Sequence, residues 1–252
     1  MRGVDLAAMQ QNKYDDEGFF DNYSRMPRSV GGLDAAGEWS ELRAMLPELA
    51  GKRVLDLGCG YGWHCRYARE RGALSVVGVD LSEKMLTRAR ELTDDPAIEY
   101  LRMGIEDIDF ADGAFDVVLS SLALHYIADF SAICRKIHRY IADGGAFVFT
   151  VEHPVFTALE AQDWHYGPQG EKQHWPLDRY HDEGERLARF LGHDVVKYHR
   201  TVSGYLNPLI EAGFRIDRLS ELKPTPDMLE RHPAWAEEVR RPMFLLVAAS
   251  KG

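Results

Sequence analysis

The chain has 252 residues, 45% of them hydrophobic and 28% charged, which is ordinary for a globular protein with a full core. Its formal net charge is −10 at pH 7, and no long basic run offsets the acidic residues. This balance disfavours nucleic acid as a partner, because proteins that bind it present basic surfaces to the phosphates.

The cysteines and the hydrophobic segments indicate the compartment. Cys59, Cys65 and Cys134 form no CxxC pair, and their odd number fits a reducing compartment better than a disulfide framework. The first 20 residues lack a charged start followed by an apolar run, and no stretch approaches the roughly 20 apolar residues that a membrane span requires. We expect a soluble, cytoplasmic protein with no membrane partner.

Helical and strand patterns alternate from Trp39 onward. A helix is predicted to begin at Trp39, and another after Ser82, which is a typical N-cap. A further helix, rich in isoleucine, is predicted to end at Gly144 and Gly145. Short apolar strands are predicted at 53–57, 75–80, 98–101, 115–121 and 146–151. Such an alternation is typical of a doubly wound α/β fold, whose sheet is covered on both faces.

The alternation lapses after the fifth predicted strand. Residues 153–202 are rich in His, Trp, Tyr and Gly, and we predict that they form a cap inserted after that strand. Their histidines show no HxxxH or HxH pair with flanking carboxylates, so no metal site is predicted. Residues 203–252 add a helix and two strands, which complete a mostly parallel seven-stranded sheet. The predicted parts are an N-terminal helical segment over the cofactor site (1–50), a core (51–152), the cap (153–202) and the C-terminal part of the core sheet (203–252).

The stretch "VLDLGCGYG", residues 54–62, places three glycines directly after the first strand, at the turn that faces a ligand in doubly wound sheets. A dinucleotide fingerprint would need a glycine where Trp63 stands, and no Gly-Lys-Ser or Gly-Lys-Thr of a P-loop follows. Asp80 ends the second strand and can accept hydrogen bonds from both hydroxyls of a ribose. It could instead cap the helix that begins after Ser82. We therefore predict a nucleoside ligand without phosphates.

These residues resemble the class I S-adenosylmethionine (SAM)-dependent methyltransferases. The family motif hhDhGCGxG, in which h is apolar, is matched residue by residue by "VLDLGCGYG", and the ribose-binding acid of the family is matched by Asp80. The resemblance covers residues 50–152 closely and the final helix and two strands loosely. It implies a Rossmann-like methyltransferase fold and an enzyme that uses SAM and releases S-adenosylhomocysteine (SAH).

The resemblance also implies roles for individual residues. Leu81 and Met85 would clamp the adenine of SAM. Tyr23 and Arg25 would contact its carboxylate, unless they only pack at the surface. The full set of implied cofactor contacts is Tyr23, Arg25, Asp56, Gly58, Cys59, Gly60, Asp80, Leu81, Met85, Ile105, Glu106, Ser120, Ser121 and His125.

The methyl acceptor should lie at the carboxyl edge of the sheet, under the cap. Methyl transfer from a sulfonium is an in-line displacement, so it depends on positioning, and a base is needed only for an acceptor that must lose a proton. The candidate catalytic residues are His125 after the fourth strand, His153 after the fifth, and Tyr198 and His199 in "VVKYHRT". Each could instead have only a structural role, in a loop contact or in strand pairing within the cap.

The end of the fourth strand bears on the acceptor. It reads "SSLALHY" rather than Asn-Pro-Pro-Tyr or Asp-Pro-Pro-Tyr, so the resemblance to enzymes that methylate base amines or glutamine amides fails there. We predict a SAM-dependent methyltransferase that acts on an oxygen, nitrogen or carbon atom of a small molecule. The alternatives are methylation of RNA or protein, and a non-catalytic regulator that binds SAM.

Overall fold

The computed structural model describes residues 11–252, so the first ten residues of the predicted N-terminal segment lie outside the described residues. The α-helices are α1 (Glu17–Ser24), α2 (Pro27–Gly31), α3 (Trp39–Met45), α4 (Trp63–Glu70), α5 (Glu83–Glu91), α6 (Phe130–Tyr140), α7 (Pro154–Thr157), α8 (Val202–Glu211) and α9 (Pro226–Arg231). The strands are β1 (Arg53–Leu57), β2 (Ser75–Asp80), β3 (Ile98–Arg102), β4 (Phe115–Ser121), β5 (Ile141–Glu152), β6 (His165–Tyr166), β7 (Lys172–His174), β8 (Gly184–Phe190), β9 (His193–His199), β10 (Phe214–Glu221) and β11 (Phe244–Lys251).

Seven of these strands form the central sheet, in the order β10-β11-β5-β4-β1-β2-β3. The five neighbouring strands β3, β2, β1, β4 and β5 pair in parallel, and β11 runs antiparallel between β5 and β10. The predicted doubly wound, mostly parallel seven-stranded fold is therefore confirmed. Strand β1 lies between β2 and β4, so the chain proceeds toward opposite edges of the sheet after β1 and after β4. This reversal opens a crevice at the carboxyl ends of β1 and β4.

Alternate residues of the central strands face opposite helical layers. In β5, Phe147 and Phe149 pack in one buried cluster with Ile137 of α6. Val148, between them, packs in another cluster with Leu42 of α3. A strand that is buried on both faces must be apolar throughout, which explains the continuous hydrophobic runs in the sequence.

One helix boundary differs from the prediction. Helix α6 ends at Tyr140 rather than at Gly144 and Gly145, because Ile141 already pairs with Phe115 as the first residue of β5. The pairing shifts register beyond Ile141, before the apolar part of the strand begins. Ile141 fits the helical spacing, but its buried side chain belongs to the strand.

The predicted cap region contains α7 and two antiparallel strand pairs, β6 with β7 and β8 with β9. The N-terminal segment contacts both the core and this region. Asp15 Oδ1 accepts a hydrogen bond of 2.6 Å from Ser82 Oγ at the start of α5. Gln11 pairs with the backbone of Val196 in β9 through both atoms of its side-chain amide, at 2.8 and 3.3 Å. The division of the chain into four parts stays a prediction.

From residue 11 to the end of the chain, no helix combines the length and the apolar character needed to cross a membrane.

The last glycine of the loop after β1 is required by its surroundings. Gly62 precedes α4 with φ of +70°, in the left-handed region that favours glycine. A β-carbon built on Gly62 would collide with the hydroxyl and ring of Tyr100 in β3. The Tyr100 hydroxyl is itself held by Thr93 Oγ1 at 3.0 Å. Gly62 therefore allows α4 to begin close to β3.

Replacing Gly62 with alanine should lower the free energy of unfolding by about 2 kcal/mol or more, since about 1–2 kcal/mol of left-handed strain adds to the collision with Tyr100. Gly144→Ala is the matched control, because Gly144 has φ of +74° but its added β-carbon would meet no atom within 4 Å. Urea unfolding of the two variants separates the collision from the backbone strain. Equal losses in the two variants would contradict this role of Tyr100.

Candidate functional site

A cavity of about 500 Å³ opens at the carboxyl ends of the central strands. The loops that follow β1, β2, β3 and β4 line one side of it together with the end of β5, and the N-terminal segment and the β8–β9 hairpin line the other. Many of the predicted site residues reach this cavity. They are Tyr23, Gly58, Gly60, Asp80, Leu81, Met85, Ile105, Glu106, Ser121, His125 and Tyr198.

The glycine loop is tied to the end of β2. The amides of Gly58 and Cys59 both donate to the carbonyl of Val79, at 2.8 and 3.0 Å. The amide of Gly60 donates to Asp80 Oδ2 at 2.9 Å. A β-carbon on Gly58 would collide with Ala123, whereas one on Gly60 would meet no protein atom within 4 Å. At Gly60 the loop therefore leaves space for a ligand to approach the backbone.

Asp80 holds this arrangement with both carboxylate oxygens. Besides the bond from Gly60, its Oδ1 accepts the amide of Ser82 at 2.9 Å. Burial raises the pKa of Asp80, and the two amide hydrogen bonds oppose this rise. The residue that caps α5 is Ser82, whose Oγ accepts from the Met85 amide at 3.2 Å. Since an ionised carboxylate has about four acceptor sites, Asp80 keeps free sites for ligand hydroxyls.

Beyond Asp80, the wall of the cavity becomes apolar. Leu81, Met85 and Ile105 line it, and Met85 and Ile105 are buried. The short 3₁₀ turn that carries Ile105 and Glu106 is held by Lys136, whose Nζ donates to the Glu106 carbonyl at 2.6 Å. This part of the wall suits a flat, largely apolar group.

The N-terminal wall differs from the prediction in its arginine. Tyr23 lines the cavity, but Arg25 is exposed and lies outside the lining. Arg28 lines the cavity instead and forms an ion pair with the buried Glu38. Because α1 ends at Ser24 and Pro27 starts α2, Arg28 belongs to a separate helix. Pro27 is the sequence signal for Arg28, because a proline is typical of the first position of a helix and so predicts a second helix that contains Arg28.

His125 lies on a 3₁₀ turn after β4, is buried, and reaches the opposite part of the cavity. Its Nδ1 accepts the amide N–H of Glu152 at 3.4 Å. The neutral ring therefore carries its proton on Nε2. Burial lowers the pKa of His125 to about 4; the negative charge of Glu152 opposes this shift, and the positive charges of Lys197 and Arg200 add to it, so the ring is neutral at pH 7.

Glu152, at the end of β5, also lines this part of the cavity. Its Oε1 accepts from Lys197 Nζ at 2.6 Å, and its Oε2 accepts from Gln162 Nε2 at 3.4 Å. Burial raises the pKa of Glu152, but His125 and Lys197 more than offset this, and the pKa lies below its ordinary value. Glu152 is therefore ionised at pH 7.

Two of the candidate catalytic histidines lie outside the cavity lining. His153 caps α7, since its Nδ1 accepts the Val155 amide at 3.0 Å, and its Nε2 bonds to Glu221 at 2.8 Å. His199 bonds to Thr157 Oγ1 at 2.7 Å and, through Nε2, to a backbone carbonyl at 3.0 Å. Both rings thus have both nitrogens engaged by protein groups. Tyr198, the neighbour of His199 in β9, points to the other side and lines the cavity.

Comparison with known proteins identifies the family. A profile described as a methyltransferase domain matches residues 55–149. A solved structure from Mesorhizobium loti, described as a SAM-dependent methyltransferase, is 48% identical, covers 86% of this chain and 99% of its own, and superposes with a TM-score of 0.82. The chain belongs to the SAM-dependent methyltransferases. A structure from Listeria monocytogenes assigned to the same class is 53% identical to this methyltransferase, with coverage of 88% and 99% and a TM-score of 0.83.

Membership of this family makes SAM the cofactor of the methyltransferase, as the sequence predicted. It does not specify the acceptor. One relative, the malonyl-[acyl-carrier protein] O-methyltransferase of Pectobacterium atrosepticum, is 29% identical over 71% of this chain. The match spans about three fifths of that relative, 61% of its length.

Three predicted cofactor residues lie behind the cavity wall rather than in its lining. Ser120 Oγ donates to the Leu57 carbonyl at 2.8 Å. Cys59 is buried within the loop. Asp56 is also buried, which raises its pKa to about 7; its Oδ2 accepts from Cys65 Sγ at 3.3 Å, and its Oδ1 has no hydrogen-bond partner among the described residues. These side chains support the glycine loop from below.

Within residues 11–252, no group of three or more His, Cys, Asp or Glu side chains is arranged to hold a metal ion.

The neutral state of His125 should make the methyltransferase acid-sensitive. The folded state has a His125 pKa of about 4, against about 6.5 when unfolded. This contribution to stability is therefore complete above pH 6.5 and is lost as the pH falls toward 4, by about 3 kcal/mol at most. His125→Gln should lose less unfolding free energy than the wild type between pH 7 and pH 4.5, as measured with urea.

The control for this substitution is His174→Gln, which changes an exposed histidine of β7 in the same way. It should keep the pH dependence of the wild type. If His125→Gln and the wild type lost stability in parallel, His125 would not be the group that titrates.

Proposed function

We propose that the enzyme methylates a small molecule held between the cap and the carboxyl end of the sheet. The observation that carries this proposal is the cavity itself, whose volume of about 500 Å³ falls in the range of about 300–1,000 Å³ typical of small-ligand sites. SAM-binding motifs line one part of this cavity, and His125, Glu152 and Tyr198 line another. An acceptor placed beside these three residues would lie in the same enclosed space as the donor.

The residues of the cavity fit SAM. Asp80 has free acceptor sites for the two ribose hydroxyls, and the open space at Gly60 lets a ligand approach the loop. Leu81 and Met85 would pack on the adenine. Asp56, which is buried behind the loop, would support the loop rather than contact the ligand. When bound, SAM would supply a methyl group on a sulfonium sulfur. The acceptor lone pair would form the new bond to the methyl carbon, and the sulfur would keep the electrons of the carbon–sulfur bond that breaks.

We further propose that Arg28, with Tyr23, holds the carboxylate of SAM, in place of the predicted Arg25. Arg28 lines the cavity, whereas Arg25 is exposed and lies outside the lining. The buried Glu38 keeps Arg28 in place through their ion pair, and Ser121 Oγ donates a bond of 3.4 Å to Glu38. Arginine is suited to this task because its planar donors match a carboxylate.

In this proposal the acceptor side chains act by positioning. The Nε2 proton of His125 makes the ring a hydrogen-bond donor toward the cavity rather than a base, because Nδ1 is already engaged by the Glu152 amide. Tyr198 adds a second polar group on the cap side. His153 and His199 fasten the cap instead, since each bonds to protein groups through both ring nitrogens. Correct placement of the acceptor then supplies most of the acceleration.

The proposed division of labour follows the predicted parts of the chain. The core (51–152) would bind SAM, and the cap (153–202) would bind the acceptor. The N-terminal segment (1–50) would close the cavity, a role supported by the bonds of Gln11 to the cap and of Asp15 to the core. Residues 203–252 complete the sheet.

The alternatives predict different acceptors. A substrate carried on a protein, as the name of the Pectobacterium relative describes, would require an acyl carrier protein for turnover. An RNA acceptor would need a basic surface, whereas the cavity lining includes the acids Glu106 and Glu185. A screen of metabolites, carrier-bound acyl groups and RNA with methyl-labelled SAM distinguishes them, and a lack of turnover on all three would favour a non-catalytic regulator.

Asp80→Asn should raise the Kd for SAM at least tenfold in calorimetry, because a hydrogen bond to a charged group contributes about 1.5–3 kcal/mol. Asp94→Asn, an exposed change in the segment after α5, should leave the Kd unchanged. A thermal melt of each variant checks that the loop still folds. Unchanged SAM binding in folded Asp80→Asn would refute the ribose role.

Arg28→Gln should raise the Kd for SAM about tenfold, and Arg25→Gln should not. The change at Arg28 is best made together with Glu38→Gln, so that no unpaired charge stays buried. Glu38→Gln alone serves as the matched background. If Arg25→Gln had the larger effect, the carboxylate would lie against the other helix.

A further inference from the structure

The charges around the acceptor part of the cavity are mainly negative. Glu152 and Glu185 line this part, and Glu106 lies near Tyr198, close enough for Glu106 and Glu185 to contribute to the raised pKa of the tyrosine, which burial mainly causes. The Glu106 and Glu185 carboxylates come from opposite walls, the core and the cap. Together they give the acceptor part of the cavity a negative potential.

The cations close to this part are already engaged. Lys197 is buried and donates to Glu152 and Gln162. Arg200 donates to the backbone carbonyls of Ile127 and Ala128. Lys197 therefore neutralises Glu152, and the donors of Arg200 are directed at the backbone rather than at a ligand.

Among the residues that the structure describes, two cations line the cavity itself, Lys13 and Arg28. Arg28 is paired with Glu38. Lys13 belongs to the same 3₁₀ turn as Asp15, which bonds to Ser82 on the SAM side. Neither cation belongs to the acceptor part, so an anionic acceptor would meet carboxylates there and, among the described residues, no lining cationic side chain to pair with.

Glu152 has the capacity to bind a cation. Each of its oxygens accepts one hydrogen bond from protein, whereas a carboxylate has about four acceptor sites in all. Its side chain is 12% exposed although it is paired with a lysine that is 2% exposed. Most of the accessible side-chain surface of this ion pair therefore belongs to Glu152, which also lines the cavity.

The surrounding wall is apolar. Phe190, Val195 and Val196 of the β8–β9 hairpin line the cavity on the cap side, and Ile127 and Met243 line it on the core side. Such a wall favours an acceptor whose body is hydrophobic.

We propose that the methyl acceptor is an amine on an apolar body, which binds as an ammonium ion with its nitrogen against Glu152. This inference rests on the proposed function and names its substrate class. An aliphatic amine is protonated at pH 7, as the lysine side chain is, and an ammonium donates up to three hydrogen bonds but accepts none. It therefore complements Glu152 and Glu185.

The proton balance is simple. The bound ammonium releases one proton to water and so exposes its lone pair. The nitrogen then bonds to the methyl carbon as the carbon–sulfur bond breaks, which leaves the methylated amine as an ammonium and SAH as a neutral thioether. In total, an ammonium and SAM yield a methylammonium, SAH and one proton. Glu152 stabilises the ammonium before and after transfer, without itself gaining a proton.

The experiment compares three head groups on the same bodies. The full-length protein, saturated with SAH, is titrated by NMR with matched sets of amine, alcohol and carboxylate on benzyl, phenethyl and cyclohexylmethyl groups. We expect at least one amine to bind at least tenfold more tightly than its matched alcohol, and the carboxylates to bind most weakly. If a carboxylate bound as well as its amine, or if no amine bound better than its alcohol, the proposal would be wrong.

Charge-neutral variants locate the site. Glu152→Gln combined with Lys197→Met removes the ion pair without leaving a buried charge, and Glu185→Gln changes a group on the exposed face of β8. The double variant should abolish the preference for amines, and Glu185→Gln should reduce it severalfold. Glu160→Gln, an exposed acid elsewhere in the cap, is the matched control and should retain the preference. An unchanged preference in the double variant would exclude Glu152.

SAH binding tests the proposed function separately from the assignment of an amine acceptor. If the wild-type protein failed to bind SAH, the proposed function would fail. If it bound SAH and showed no preference for amines, only the amine assignment would fail.

Discussion

The hydrogen bond from the Gly60 amide to Asp80 is the contact on which the site depends. It joins the loop after β1 to the end of β2. The second oxygen of Asp80 accepts the amide of Ser82 and so holds the N-cap residue of α5. The Gly58 and Cys59 amides reinforce this link by donating to Val79. A single carboxylate thus sets the distance between two strand ends and still faces the cavity. Because it already satisfies protein donors, it is positioned before any ligand arrives.

Much of this architecture could be predicted because it depends on local rules. Apolar strands that alternate with helices specify a sheet covered on both faces, and an acid at the end of β2 must lie beside the glycine loop. Ile141 shows where such rules fail, since a buried isoleucine suits a helix end or a strand start equally well. Only its pairing with Phe115, which is distant in sequence, decides between them.

The acceptor site was less predictable, because it depends on which side of a strand faces the cavity. In β9, Tyr198 lines the cavity and His199 is bonded on the other side, a choice that the pairing of β9 with β8 fixes. Similarly, one proline between Arg25 and Arg28 determines which arginine turns inward. Glu152 and Lys197 lie 45 positions apart, and the sequence contains no signal that they would meet.

The pairing of Gln11 with Val196 has a consequence for how the molecules behave toward one another. Strand β9 belongs to a sheet of only two strands, so one of its sides is an open edge to which a strand of another molecule could add. The side-chain amide of Gln11 occupies the backbone N–H and C=O of Val196 on that edge, with one donor and one acceptor, as a neighbouring strand would. At the middle of β9, a single glutamine therefore takes the place that a strand of another molecule would need for pairing.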